Sequence, residues 1–126
     1  MLDYGEPITA PGLSFMDTPG YDPVSVTGQI AGGAQMIVFT TGRGSAFGSK
    51  PAPTLKLATN DALFSAMRDD MDLNCGDILS RGVSLADKAR EIVALILSTA
   101  SGQPSRSEAL GLGDNEFVPW QIGAVV

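Results

Sequence analysis

The chain contains no histidine. That removes the side chain most often used as a general base near neutral pH and most often bound to metals. Any acid or base the chain supplies must be Asp, Glu, Lys, Tyr or Cys. There is one cysteine, Cys75, so no internal disulfide can form, which fits a reducing, cytoplasmic compartment. Positive charge is scarce: 8 Lys and Arg stand against 14 Asp and Glu, a net charge of −6. Nucleic-acid binding rests on clustered Lys and Arg, so a phosphate backbone is excluded as the main partner. An anionic small molecule is not, because one well-placed arginine can outweigh the global sign locally. Long apolar runs are missing too. The longest block, "IVALILSTA" (Ile92–Ala100), is too short to cross a bilayer and follows charged residues, so no membrane partner is expected. The opening "MLDYGEPITAPG" has neither the basic nor the apolar region of a secretory signal.

What is present suits one domain with a real core: 126 residues, 44% of them hydrophobic. "GLSFMDTPG" (Gly12–Gly20) reads as a short strand stopped by Pro19-Gly20. Asp22 is a good helix cap, with Pro23 at the first helical position. Val26, Ile30 and Ala34 fall at i, i+4 and i+8 on one helical face, and Gly32-Gly33 offers a C-terminal stop. "MIVF" (Met36–Phe39) is continuously apolar and reads as a central strand covered on both faces. "TLKLAT" (Thr54–Thr59) predicts another strand, and Asn60 caps a helix over "DALFSAMRDD" with Leu63, Phe64 and Met67 inward. "MDLNCG" predicts a short extended segment closed by Gly76. From Ser84 to Ser101 a long helix is expected, opened by a Ser84–Asp87 capping pair. Its apolar stripe is Leu85, Ala89, Ile92, Val93, Ile96 and Leu97. The tail from Ser105 has no clear period; Phe117, Val118, Trp120 and Ile122 are expected to pack back onto the domain. Strands alternating with helices imply a three-layer α/β domain whose open sheet is mostly parallel and Rossmann-like.

In such sheets ligands bind beyond the carboxyl ends of the strands. The loop "TTGRGSAFGSKPAP" begins where the "MIVF" strand would end. Gly42 and Gly44 permit positive φ and close approach of backbone to ligand. Successive N–H groups in such a loop form an anion-binding concavity. Thr41 and Ser45 add hydroxyls, and Arg43 offers a planar fork suited to a carboxylate. "GRG" alone is weak, and the alternative is a surface loop with Arg43 in an ordinary ion pair. Asp17, Asp72 and Asn74 are further candidates for the same crevice, with turn capping as the competing role for Asp17. Asp69 and Asp70 read as a solvated acidic turn. Cys75 reads as a small buried hydrophobe, since no histidine is available to make it a thiolate.

Together, the segments from "GLSFMDTPG" through "TTGRGSAFG" and "DDMDLNCGDIL" to "EFVPWQIG" resemble the C-terminal part of the altronate/galactarate dehydratases, over about Gly12 to Gly123. The resemblance implies a hydro-lyase of carbohydrate metabolism that converts a sugar acid to a 2-keto-3-deoxy acid and water. It implies that this chain is a C-terminal fragment or detached domain, inactive alone. The missing N-terminal region or a separately encoded subunit would be its partner, and a homo-oligomer is compatible with it. The full enzyme would use a divalent metal, commonly iron(II). Thr41, Gly42, Arg43, Gly44, Ser45, Asp17 and Asn74 would then bind substrate; the catalytic residues and metal ligands are not identified. Two other readings remain open: the large subunit of a sulfolactate sulfo-lyase, which resembles the same family, and a non-catalytic binding or assembly module.

Overall fold

The computed structural model describes residues 1–121. Its sheet has three strands, β1 (Ile37–Thr41), β2 (Thr54–Ala58) and β3 (Leu73–Asn74), in the order β1-β2-β3 and all parallel. The helices are α1 (Asp22–Ala31), α2 (Asp61–Ala66), α3 (Asp77–Ser80), α4 (Leu85–Ala100) and α5 (Arg106–Ala109). The fold is α/β with an open parallel sheet, as the alternation of patterns requires.

The central strand is β2, not the "MIVF" segment. Every β2 residue is buried, with Leu55 and Leu57 alternating with Thr54, Lys56 and Ala58 on opposite faces. Each buried leucine contributes about 2 kcal/mol. β1 is an edge strand, and Val38 and Thr40 remain exposed. A continuous apolar run suggests burial on two faces, but burial depends on neighbours that the run does not encode.

α1 packs on β1 along its predicted face: Val26 and Ile30 meet Ile37, Phe39 and the loop residue Phe47, and Ala34 joins them from beyond the helix end rather than from the helix. The helix begins one residue earlier than expected. Tyr21 is its cap, without a side-chain bond, and Asp22 is its first helical residue. α2 is capped as expected, the Asn60 Oδ1 accepting from Leu63 N–H at 2.8 Å. Leu63, Phe64 and Met67 pack with Ala58 and Met71.

Three expectations are corrected. Gly12–Gly20 forms no strand of the sheet; only an isolated parallel bridge ties Leu2 to Met16, and Leu13 and Phe15 stay exposed. On α4, Leu85, Val93 and Leu97 face solvent, whereas Lys88 and Thr99 are buried and Ile92 and Ile96 are intermediate. Its buried positions thus lie off the apolar stripe, with the Lys88 ammonium bonded to Asn74, Asp77 and Glu91. Finally, the tail holds a short helix, α5, with a complete capping box between Ser105 and Glu108. The Ser-x-x-Glu spacing at those positions was its signal. The tail does fold back: Trp120 stacks edge-on against Tyr4 with ring centroids 5.4 Å apart, and Val118 N–H donates to Thr27. Phe117 is largely exposed, and Ile122 lies outside the described residues.

Candidate functional site

The strand register fixes the geometry of the carboxyl edge. Thr41 pairs with Ala58, and Ala58 with Asn74, so Thr41 and Asn74 stand in one row two strands apart, about 10 Å. Loops leave the sheet from each of these positions. They are knitted together: Thr59 N–H donates to the Thr41 carbonyl at 3.0 Å, and Asn60 Nδ2 to the Gly42 carbonyl at 3.1 Å. Asn74 Nδ2 donates to Asp61 Oδ1 at 2.6 Å, and its Oδ1 accepts from Gly76 N–H at 2.9 Å. Gly76 is required because a Cβ there would lie 2.4 Å from the Asp61 nitrogen.

Within the first loop, Thr41 Oγ1 accepts from Gly44 N–H at 3.0 Å and Ser45 Oγ from Phe47 N–H at 3.1 Å. Gly44 has φ +104°, and a Cβ would strike Met67 Sδ. Gly42, by contrast, does not adopt positive φ; its close neighbour is the Thr59 hydroxyl. The N–H groups of Arg43, Ser45 and Ala46 have no hydrogen-bond partner among the described residues. Arg43 is exposed and forms no ion pair among them. The loop therefore presents one guanidinium and several donor N–H groups at the carboxyl edge, an arrangement able to bind an anion. The far end of the loop is fixed elsewhere, with Gly48 N–H donating to the Glu116 carboxylate and Ser107 Oγ to the Phe47 carbonyl.

The other candidates divide. Asn74 shares the edge with the loop, though its side chain is engaged in the bonds above. Asp72 lies two residues before Asn74, level with Lys56 in the middle of β2. Its two oxygens accept from Lys56 N–H and Arg106 N–H at 2.7 and 2.8 Å. Asp17 is exposed, with its N–H on the Leu2 carbonyl and no carboxylate bond among the described residues. It adjoins Thr18, whose hydroxyl lies 2.8 Å from that of Ser25. Asp70 turns toward Lys56, 3.9 Å from its Nζ.

Two lysines are buried: Lys88, which the sequence does not single out, and Lys56, whose place in a strand suggests a side chain facing either ligand or solvent and which is in neither position. Lys88 Nζ, behind the end of β3, donates to the Asn74 carbonyl, Asp77 and Glu91 at 2.8, 2.9 and 2.5 Å. Burial alone would lower its pKa, but the bonds to Glu91 and Asp77 outweigh that and raise it. Lys56 is fully buried in β2, and its Nζ has no hydrogen-bond partner among the described residues. Burial pushes its pKa down, against the pull of Asp70, Asp72 and Glu116. A lysine inside an alternating strand gives no sequence signal of which face it joins.

The titratable groups at the edge offer little acid–base capacity. Hydrogen bonds from Asn74 and Ser80 hold the Asp61 carboxyl below its ordinary range, so it stays ionised. Burial pushes the half-buried Cys75 thiol up, so it stays protonated. Among the described residues, no group of three or more His, Cys, Asp or Glu is placed to hold a metal ion. No helix among the described residues is long and apolar enough to cross a membrane.

A family model described as D-galactarate/Altronate dehydratase, C-terminal, matches residues 1–125. The chain is 37% identical to the altronate dehydratase of Bacillus subtilis over 82% of its own length and 20% of that protein. It is 36% identical to the galactarate dehydratase (L-threo-forming) of Escherichia coli, with the same shares covered. It is 33% identical to the (2R)-sulfolactate sulfo-lyase subunit beta of Chromohalobacter salexigens, over 94% of this chain and 30% of that one. The chain thus spans between a fifth and a third of the length of these relatives.

Proposed function

Because the chain belongs to the D-galactarate/altronate dehydratase C-terminal family, we propose that it forms one wall of the active site of a sugar-acid dehydratase and holds the substrate carboxylate on the Thr41–Ser45 loop. The observation that carries this reading is Arg43, an exposed guanidinium without an ion-pair partner among the described residues, beside open N–H groups at the carboxyl edge. Dehydration removes the proton α to a carboxylate and expels the β-hydroxyl as water. The enol so formed becomes the ketone of a 2-keto-3-deoxy acid. Negative charge builds on the carboxylate as the α-proton leaves, and Arg43 with the loop N–H groups is suited to stabilise it. Asn74, in the same row as Thr41, and Asp17, on the neighbouring turn, complete the proposed substrate-binding set.

The general acid and base come from outside this domain in this reading. The chain has no histidine, Cys75 stays protonated, Asp61 is a weak base, and Lys88 is enclosed by its partners. A divalent metal, iron(II) by family resemblance, would likewise need ligands from the rest of the enzyme. That remainder, on the same polypeptide or a separate subunit, is the proposed partner, and the compartment is the cytoplasm.

The test is turnover of altronate and galactarate, read as 2-keto-3-deoxy acid formed, by the chain alone and by the complete enzyme carrying this domain. The chain alone is expected to be inactive, and the complete enzyme active. Robust turnover by the chain alone would overturn the division of labour. A sulfo-lyase is the second reading, favoured by the match to a sulfo-lyase subunit over 94% of the chain. The same elimination would then release sulfite instead of water, and a sulfite readout separates the two.

A further inference from the structure

An open cleft of about 350 Å³ runs along the edge of β1 that pairs with no strand among the described residues, within the size range of small-molecule sites. Its wall includes Thr18, Asp22, Ser25, Gln29, Phe39 and Thr40. Three polar side chains there form a relay: the Thr18 and Ser25 hydroxyls are 2.8 Å apart, and Gln29 Nε2 donates to Ser25 Oγ at 3.1 Å. Thr40, on the exposed strand edge, lines the same cleft. Hydroxyls and a carboxamide each donate and accept. They match a chain of vicinal hydroxyls better than a carboxylate, which only accepts. Thr40 is three residues from Arg43, so cleft and loop are at most about 10 Å apart along the chain. A six-carbon sugar acid is of suitable length to touch both.

Charge distinguishes the two ends. The loop offers Arg43, while the cleft wall carries the Asp22 carboxylate. Asp22 lies in the first turn of α1 and already balances the positive end of that helix, so the helix adds no net attraction for a second anion. We infer that the β1-edge cleft is a subsite for the uncharged, hydroxylated end of an aldonic acid, and that Asp22 disfavours aldaric acids, which carry a second carboxylate at that end. This rests on the loop reading above for the position of the first carboxylate.

The experiment is amide NMR of the ¹⁵N-labelled chain with three probes. Glycerate has the 2-hydroxy carboxylate but no long polyol, altronate has both, and galactarate is a dicarboxylate. Glycerate is expected to shift the Thr41–Ser45 amides alone. Altronate should shift these together with Thr18, Ser25, Gln29 and Thr40. Altronate should bind more tightly than galactarate, and Asp22→Asn should narrow the gap by about threefold, the factor two like charges about 6 Å apart produce in water. Ser25→Ala should weaken altronate and leave glycerate unchanged. Altronate shifts confined to the loop, or an unchanged ratio in Asp22→Asn, would overturn the subsite and leave the loop reading standing. A loop unmoved by any probe would overturn the loop reading, and cleft shifts with altronate would then support the subsite on its own.

Discussion

Lys88 and Arg43 lie at the two flanks of one sheet edge, the first behind the end of β3 and the second beyond the end of β1. Lys88 is enclosed, with all three ammonium protons directed at the Asn74 carbonyl, Asp77 and Glu91. Arg43 is exposed and, among the described residues, without an ion-pair partner. The same charge therefore has two uses within one row of loops. Saturated, it fixes the frame; left open, it remains available to a ligand. The frame is what holds Asn74 and Asp61 still beside the loop.

Lys88→Met is the strongest way to break that comparison. It leaves Asp77, already with one unpartnered buried oxygen, without its cation. A loss of about 3 kcal/mol in urea unfolding is expected. Since the Lys88 pKa is raised on folding, its contribution is fully present below the ordinary value of 10.5 and fades as pH rises through the folded value. The alkaline fall in stability should therefore shrink in the variant. Next in size, Arg43→Ala in the complete enzyme should lower kcat/KM by ~10²-fold if the guanidinium meets developing charge. Its unfolding free energy in urea should stay within about 0.5 kcal/mol of wild type. A destabilised Arg43→Ala with normal kinetics would make Arg43 a second Lys88.

Asn60→Ala tests the link between frame and loop. It removes the α2 cap and the bond to the Gly42 carbonyl together. A cost of about 1–2 kcal/mol is expected by thermal unfolding. The smallest effect is expected for Lys56→Met. Its Nζ makes no hydrogen bond among the described residues, and the carboxylates near it have other support. Asp72 and Glu116 accept backbone N–H groups, and Asp70 is partly exposed. Chemical denaturation should place the variant within about 1 kcal/mol of wild type or above it. A loss as large as that of Lys88→Met would show that Lys56 is held as firmly as Lys88.

The sequence was most legible where local chemistry decides the outcome. The Asn60 cap, the inward faces of α1 and α2, and the β2 segment all follow from short-range patterns. It was least legible where distant contacts decide. Whether "MIVF" lies at the centre or edge of the sheet depends on which strands exist to pair with it, and Gly12–Gly20 has a strand's alternation but no place in the sheet. The stripe on α4 failed as a guide to burial: Leu85, Val93 and Leu97 are exposed, whereas Lys88, a surface residue by hydropathy, is buried among its partners. At the site, the loop composition pointed to Arg43, and the register then placed Asn74 in the row of Thr41 and Asp72 level with Lys56 in the middle of β2.

The connection from β1 to β2 carries no helix, although parallel neighbours are usually joined through one. The crossover that lets these strands run parallel is thus the candidate anion loop itself. Closure of the fold and organisation of the binding surface are one event, so a ligand that binds this loop only when the chain is native acts on the folding equilibrium. At a hundred times its dissociation constant, such a ligand would add about 2.7 kcal/mol of stability. A sugar acid that binds here should reveal itself in a melting curve even where no reaction follows.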